Sequence, residues 1–334
     1  MIKIIKDIKN YFKSKRLEKN RKYCFFVENQ FIYQFLKPYI ESKDKDQVAI
    51  LSFDLLPTED KKSLIILKTF FFRTLFFLTL KFKYLITSTP DLNNSIFKRS
   101  KFKKTKYIYV QHSPLSLTKI YNKEAFLAFD AIQVVNLFQF KEIKKINFLY
   151  KKNIKVFKSQ YSFLKKKYNV NKRKNKMVLI APTWHTNFYK LNLHIKITEV
   201  FKKNNINYCL RPHPMSFKKK EISKKEIQKL EIVSDLKDEL NFADYDNLIS
   251  DWSGIFLEFA LINRKFPILI NTEQKIRNMD STKFEEAPIE VIARSQIAHN
   301  IEINEVDKII NFIRNERIEN EENEISEFQK KFFY

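Results

Sequence analysis

The stretch NLISDWSGIFLEFALI, at residues 247–262, decides the fold class of this chain. Its first four residues suit a short buried strand, and they lead into a polar corner, Asp251-Trp252-Ser253-Gly254, followed at once by an apolar helical stretch. A strand that passes through a corner into a helix is the building unit of a parallel sheet. Similar units recur along the chain, which predicts an α/β protein with right-handed crossovers.

The predicted strands fall into two groups on either side of a charged segment at 169–176. The first group comprises residues 23–27, 48–53, 84–87, 107–110, 131–135 and 154–157, and the second comprises 178–181, 208–210, 231–233, 247–250 and 267–270. Helices are predicted at 191–203, 255–262 and 305–331. We therefore expect a basic helix at 1–22, an N-terminal domain at 23–168, a linker at 169–176 and a C-terminal domain at 177–334, with a cleft between the two domains.

The chain has a single glycine in 334 residues. This excludes the glycine-rich dinucleotide and P-loop motifs, each of which needs at least two glycines, and the G-x-S-x-G motif of serine hydrolases. The two cysteines, Cys24 and Cys209, lie far apart in apolar runs, so buried free thiols are expected. The acidic pair Asp244 and Asp246 precedes a strand, at the sheet edge opposite the histidines described below, and no metal site is expected.

Positive charge is concentrated in the first half of the chain. Residues 1–170 contain 36 Lys and Arg against 13 Asp and Glu, whereas residues 171–334 contain 27 against 25. An AT-rich genome would enrich lysine throughout, so this asymmetry favours an anionic macromolecular partner, either a membrane surface or a nucleic acid.

The first 22 residues place Ile5, Ile8 and Phe12 at helical spacing among lysines. That pattern fits a basic amphipathic helix on an anionic bilayer, or else a terminal helix that packs one weak face on the body. The apolar stretch at 70–80 is too short to cross a membrane, and a core helix is favoured there over an inserted ridge. Residues 1–22 do not contain the uncharged apolar core of a signal peptide. We therefore expect a cytoplasmic protein on the inner face of the membrane.

Three of the five histidines directly follow predicted strands: His112, His185 and His213. The corner at 251–254 follows a fourth strand. In open parallel sheets ligands bind beyond the carboxyl ends of the strands, so these clusters predict a functional cleft.

Each cluster has chemistry suited to phosphate. Gly254 begins a helix, where backbone N–H groups attract anions and the missing Cβ permits close approach; Ser253 can bond a phosphate oxygen or simply cap the helix. Arg211 can pair bidentately with phosphate, and His213 can donate to a bridging oxygen. His112 is the candidate general base for a hydroxyl acceptor.

Taken in order, the segments APTW (181–184), RPHP (211–214) and LISDWS (248–253), with Gln111-His112 upstream, resemble the CDP-glycerol glycerophosphotransferases of teichoic-acid and capsule synthesis. The resemblance implies a GT-B-like fold, in which two Rossmann-like domains have parallel sheets facing across a cleft. It also implies transfer of glycerol phosphate, or another polyol phosphate, from a CDP-activated donor to a membrane-linked or surface-glycan acceptor.

By this resemblance His112 and His213 are catalytic, with His112 as the base. Arg211, Ser253 and Gly254 would line the pyrophosphate pocket by the same resemblance, and Asp251, Thr183 and His185 are further candidates for binding the donor or its phosphates. The expected partners are a CDP-glycerol-like donor, a lipid-linked or glycan acceptor and an anionic membrane surface, with no cofactor, metal or nucleic acid. Two alternatives stay open: a GT-B glycosyltransferase that uses a CMP- or other nucleotide-activated sugar, such as a sialyltransferase, and a nucleic-acid-binding protein, although no RNA- or DNA-binding motif is present.

Overall fold

A computed structural model describes residues 2–58, 60–165, 177–223, 225–226, 240–278, 280–314 and 320–334. The chain forms two compact units. Unit 1 comprises Met1–Ser113, Tyr121–Ser162 and Asn278–Phe284, and unit 2 comprises Pro114–Ile120, Phe163–Arg277 and Glu285–Tyr334.

Unit 1 is built on a seven-stranded sheet in which every pairing is parallel. Its strands are β1 (Tyr23–Val27), β2 (Val48–Ser52), β3 (Leu64–Ile66), β4 (Tyr84–Thr87), β5 (Lys106–Tyr109), β6 (Ala131–Val134) and β7 (Lys155–Lys158), in the order β3-β2-β1-β4-β5-β6-β7. The strands are short, and β1, β2, β4 and β6 are largely buried because both faces of the sheet are covered there, whereas the edge strand β7 is largely exposed. Its longer helices are α1 (Ile2–Asn20), α2 (Gln30–Glu41), α3 (Phe70–Thr79) and α5 (Leu137–Leu149).

Unit 2 has a five-stranded parallel sheet in the order β12-β11-β10-β8-β9. Its strands are β8 (Val178–Ile180), β9 (Tyr208–Leu210), β10 (Asn247–Ser250), β11 (Ile268–Ile270) and β12 (His299–Ile301). Its helices are α4 (Leu117–Ile120), α6 (Leu193–Lys203), α7 (Pro214–Lys218), α8 (Ile255–Asn263), α9 (Ile289–Gln296), α10 (Ile309–Arg314) and α11 (Glu321–Phe332). One face of the sheet packs on α6 through a buried cluster that includes Ile180, Leu193, Ile197 and Phe201.

The predicted α/β class with two parallel sheets is confirmed. Two strands were missed, β3 and β12, and both lie at the outer edge of a sheet. The predicted strand at 231–233 and the predicted linker at 169–176 lie outside the described residues. The prediction of one helix over 305–331 is wrong, because Ile303–Lys308 is a 3-10 segment that leads into α10, and α11 is a separate helix.

Helix α3 corrects the expectation of a core helix at 70–80. Only Phe76 and Phe77 of this helix are buried, and Phe70 and Phe71 are 67 % and 65 % exposed. In the described parts of the chain, no helix combines the length and the apolar character needed to cross a bilayer.

Candidate active site

The crevice of unit 2 lies where the chain reverses direction across the sheet. Strand β8 lies between β9 and β10, and the chain adds β9 on one side of it and then β10 on the other. Loops that leave adjacent strands in opposite directions open a crevice at the carboxyl edge, which is where α/β proteins bind ligands. The loop after β8 carries Thr183 and His185, and the loop after β10 carries Asp251, Ser253 and Gly254, so the structure brings these predicted residues to one edge. We call this the switch-point crevice.

Asp251 ties the two loops of the switch-point crevice together. Its side chain is fully buried, with Oδ1 accepting from the Thr183 N–H at 2.7 Å and Oδ2 accepting from the Thr186 hydroxyl at 2.9 Å. Burial raises the pKa of Asp251, while these two hydrogen bonds and the nearby Lys275 and Arg294 oppose the rise. Because both carboxylate oxygens have protein partners, Asp251 positions the crevice loops, and direct donor binding by it stays a prediction.

Arg294 holds the corner at Asp251 and Trp252 in place. Its guanidinium donates to the Asp251 carbonyl at 2.8 Å and stacks 4.2 Å above the Trp252 ring. The indole N–H of Trp252 in turn donates to the Thr272 carbonyl at 2.8 Å. Burial lowers the pKa of Arg294 to about 10, which leaves it charged at neutral pH. The sequence did not single out Arg294.

The corner at Ser253 and Gly254 opens helix α8. The N-cap of that helix is Gly254, which has φ −59° and ψ −19°, and no side chain caps it. The alternative in which Ser253 caps the helix is therefore wrong, and within the described residues the Ser253 hydroxyl has no hydrogen-bond partner. Gly254 adopts a right-handed conformation open to any residue, so its distinguishing property at this corner is the missing Cβ.

The loop after β9 presents Arg211 and His213. The Arg211 N–H donates to the Ile180 carbonyl at 2.8 Å, which extends the pairing of β9 with β8. His213 caps α7, and its Nδ1 accepts from the Met215 N–H at 3.0 Å. An accepting Nδ1 places the proton of the neutral ring on Nε2. His213 thus has the tautomer that suits the predicted role of donor to a phosphate oxygen.

His185 lies at the exposed rim. Its φ is +64°, a left-handed conformation that is uncommon outside glycine. The conformation is held by a hydrogen bond of 2.7 Å from the His185 N–H to Glu221 Oε1. The imidazole ring lies beside the Trp184 indole, with centroids 5.6 Å apart.

Two cationic residues that follow β11, Lys275 and Arg277, also lie at the site, and the sequence did not predict them. Lys275 Nζ lies 4.1 Å from the centroid of the Trp184 ring and 3.3 Å from the Thr183 hydroxyl. The Arg277 guanidinium lies 5.0 Å from the same centroid. Burial lowers the pKa of Lys275 to about 7, Arg277 adds to the decrease, and Asp251 and Glu221 oppose it. In a chain with 63 Lys and Arg, neither residue carries a sequence signal of its own.

His112 follows β5 in unit 1 and is enclosed by tyrosines. Its Nδ1 lies 3.2 Å from the Tyr109 hydroxyl and its Nε2 lies 3.3 Å from the Tyr121 hydroxyl. The Tyr161 hydroxyl donates to the His112 carbonyl at 3.2 Å. Burial lowers the pKa of His112 to about 4, against a smaller opposing effect of a hydrogen bond to the Ser88 backbone. His112 is therefore neutral at pH 7, the state that a base requires.

Comparison with known proteins places the chain in a family. Residues 136–334 match the model of the CDP-Glycerol:Poly(glycerophosphate) glycerophosphotransferases. The chain belongs to this family. It is accordingly a glycerophosphotransferase-type enzyme, and the resemblance inferred from its motifs is confirmed. No protein among the curated ones matches the sequence.

Solved structures show the same fold as this glycerophosphotransferase. The wall teichoic acid polymerase TagF superposes with a TM-score of 0.61 at 12 % identity, over 99 % of this chain and 92 % of TagF. A TagF histidine variant soaked with CDPG superposes with a TM-score of 0.55 at 13 % identity, over 99 % of this chain and 91 % of the TagF chain. At these identities the likeness establishes the fold alone.

The family match divides the predicted site residues into two groups. Those of the switch-point crevice and of the β9 loop, from Thr183 to Gly254, lie inside the matched range of 136–334. His112 and its tyrosine neighbours Tyr109 and Tyr121 precede it. The assignment of His112 as base therefore depends on its geometry and on the motif around it.

Proposed function

We propose that this glycerophosphotransferase moves glycerol phosphate, or another polyol phosphate, from a CDP-activated donor to a hydroxyl of a membrane-linked or surface-glycan acceptor. The observation that carries the proposal is the switch-point crevice, in a chain that belongs to this family. A cradle for phosphates is formed there by the N-terminus of α8 at Gly254 and by the loop after β9 with Arg211 and His213.

In the proposed step, an acceptor oxygen attacks the phosphorus that bears the glycerol. The acceptor O–H proton passes to a ring nitrogen of His112, a new P–O bond forms, and the P–O bond to CMP breaks. CMP leaves with the electron pair of that bond. Arg211 and the Nε2–H of His213 stabilise the negative charge on the phosphate oxygens. Because Arg211 is permanently charged, this stabilisation persists across the neutral pH range.

The experiment that tests this function follows CMP release from CDP-glycerol in the presence of a glycerophosphate-primed lipid acceptor, with the product identified by mass. We expect CMP and an acceptor extended by glycerol phosphate. His112→Asn should lower turnover by about 10² or more, the usual range for loss of a general base. Donor affinity should be unchanged, because the donor-binding residues belong to unit 2.

The pH profile separates His112 from an ordinary histidine. With a pKa of about 4 in the folded enzyme, His112 stays deprotonated down to that pH, so its acid limb should lie near pH 4 rather than near 6.5. A loss of turnover centred near pH 6.5 would mean that His112 is not the base.

Release of CMP from CMP-activated sugars and not from CDP-glycerol would support the glycosyltransferase alternative.

The acceptor is proposed to be membrane-linked because of how helix α1 packs. The helix faces the body with polar residues: Asp7 and Ser14 are buried, and the Asn10 amide donates to the Ile66 carbonyl at 2.9 Å. Its apolar residues point outward, and Ile5, Ile8 and Phe12 are between 39 % and 59 % exposed. The predicted apolar stripe thus lies on the surface of the body.

Helix α3 extends this apolar surface. The Tyr11 ring lies 6.0 Å from the Phe72 ring, and Phe70 and Phe71 are exposed on the same helix. Exposed basic residues accompany the stripe along α1: Lys3, Lys6, Lys9, Arg16 and Lys19. Apolar residues among lysines suit a protein bound at an anionic bilayer surface. We propose peripheral attachment to the inner face of the membrane.

A further inference from the structure

Two cations share one indole ring in unit 2 without a carboxylate partner. Lys275 Nζ and the Arg277 guanidinium lie 4.1 Å and 5.0 Å from the centroid of Trp184. Within the described residues, neither cation forms an ion pair. Two positive charges on one ring repel each other, and an anion between or beside them would relieve that repulsion.

Lys275 is also short of hydrogen-bond acceptors. An ammonium has three donors, and in the described parts of the chain the one acceptor bound to Lys275 is the neutral Thr183 hydroxyl, at 3.3 Å. Two carboxylates act on Lys275 electrostatically, those of Asp251 and Glu221. Asp251 uses both oxygens for Thr183 and Thr186, and Glu221 accepts through Oε1 from the His185 N–H. Within the described residues neither carboxylate forms an ion pair with this partly buried ammonium, so its desolvation is only partly offset.

The position of Lys275 connects these unsatisfied donors to the phosphate cradle. Thr183 and Trp184 belong to the loop after β8, which Asp251 holds against the corner that leads to Gly254. The Trp184 ring also lies 6.2 Å from the ring of His213. Trp184 is thus a neighbour of both the β9 loop and the two cations, all within unit 2.

We propose that Lys275, seated on the Trp184 indole, binds a phosphate oxygen of the nucleotide donor, and that Trp184 is the residue that positions it. The inference rests on the proposed function and deepens it, because it adds a donor-binding cation that the sequence motifs do not contain. Arg277 reinforces the positive potential at the same place. The ligand recognised is the diphosphate of a nucleotide, independent of the polyol it carries.

Binding of an anion to Lys275 has a consequence for pH dependence. Burial and Arg277 lower the pKa of Lys275 to about 7, and Asp251 and Glu221 act in the opposite direction. A bound phosphate stabilises the ammonium and raises this pKa again, so above pH 7 the donor must bind together with a proton. Donor affinity should then fall by up to about tenfold per pH unit above 7. His185 and His213 also face the indole, so assigning the effect requires variants of Lys275.

The experiment is calorimetric titration of the full chain with CDP-glycerol and with cytidine at pH 6.5, 7.5 and 8.5. Lys275→Gln should bind CDP-glycerol at least tenfold more weakly at pH 6.5 and show little further loss at pH 8.5, with cytidine binding unchanged. Lys275→Arg, whose charge does not titrate here, should keep binding and lose the pH dependence. The matched control is Lys196→Gln, which removes an exposed charge from the same unit and should match the native enzyme.

The outcomes separate this inference from the proposed function. If the native enzyme binds neither CDP-glycerol nor CDP, the proposed function fails. If it binds CDP-glycerol and Lys275→Gln binds equally well, or if cytidine binding falls to the same extent, the assignment of Lys275 to the phosphate is wrong. Trp184→Phe keeps an aromatic face of weaker cation–π strength and should give an intermediate loss. Should Lys275→Gln fail to fold, the flat pH profile of Lys275→Arg still decides the question.

Discussion

At the scale of single residues, the lone glycine of the chain makes the sharpest test of the phosphate cradle. Gly254 has a right-handed backbone that alanine also adopts, so Gly254→Ala should fold normally, with a change in stability within about 1 kcal/mol. The added methyl group should obstruct a phosphate at the N-terminus of α8 and weaken CDP-glycerol binding about tenfold. Calorimetry measures the affinity and thermal unfolding verifies the fold. Ser253→Ala, which removes a predicted phosphate-binding oxygen without adding bulk, shows how much a lost hydrogen bond alone weakens binding.

Unchanged donor affinity in Gly254→Ala would mean that Gly254 begins helix α8 and has no part in binding the donor.

The contrast between Gly254 and Lys275 shows which site residues can be identified from a sequence. His112, His213 and Gly254 are rare residue types that follow strands, so type and position together mark them. Lys275 belongs to the commonest charged type of the chain, and its role depends on contacts with Thr183 and Trp184, about ninety positions away in the sequence.

At the scale of elements, the strands were predictable wherever an apolar run is long enough to cross a covered sheet. Strands β1, β4, β9 and β10 lie where the sequence placed them. Strand β12 was missed because two of its three residues, His299 and Asn300, are polar. Strand β3 was missed although Leu64–Ile66 is apolar and as long as β9, which was predicted. Helix α1 was expected, but the sequence left its orientation open between the bilayer and the body, because the polar residues that it buries find their partners in a distant segment.

That orientation depends on Asp7. Its carboxylate accepts from the Lys68 N–H at 2.9 Å, from the Thr69 N–H at 2.7 Å and from the Thr69 hydroxyl at 2.6 Å. Thr69 is the N-cap residue of α3, so these hydrogen bonds tie α1 to the start of α3. Asp7→Ala leaves buried donors without an acceptor, and we expect it to lower the free energy of unfolding by about 1–3 kcal/mol.

Thermal or denaturant unfolding measures this effect, with Lys6→Ala as the control because Lys6 is the exposed neighbour of Asp7. Asp7→Asn retains one acceptor oxygen and should be intermediate. Equal stability of Asp7→Ala and the native chain would mean that α1 docks on unit 1 without these hydrogen bonds, and the case for a fixed outward apolar stripe would weaken.

At the scale of the whole molecule, charge and chemistry are divided along the chain. The first half carries most of the excess of basic residues, whereas the matched family range contains the residues of the proposed phosphate cradle. The sequence indicated this division but left the anionic partner open between a membrane and a nucleic acid. The structure adds an exposed apolar stripe on α1. A bilayer can bury such apolar side chains, whereas the charged backbone of a nucleic acid cannot.

Binding to lipid vesicles distinguishes a membrane partner from a nucleic-acid partner and tests the role of α1. The native chain should sediment with vesicles of anionic lipid, and added salt should weaken this binding by screening the lysines. Phe12→Ser should weaken binding at every salt concentration because it removes inserted apolar surface, by roughly 1.5–3 kcal/mol for a fully buried side chain. Phe148→Ser is the matched control: Phe148 is even more exposed than Phe12, at 78 % against 59 %, but lies on α5, away from the stripe. Equal losses in the two variants would mean that α1 has no special place at the bilayer, and salt-sensitive DNA binding without vesicle binding would favour the nucleic-acid alternative.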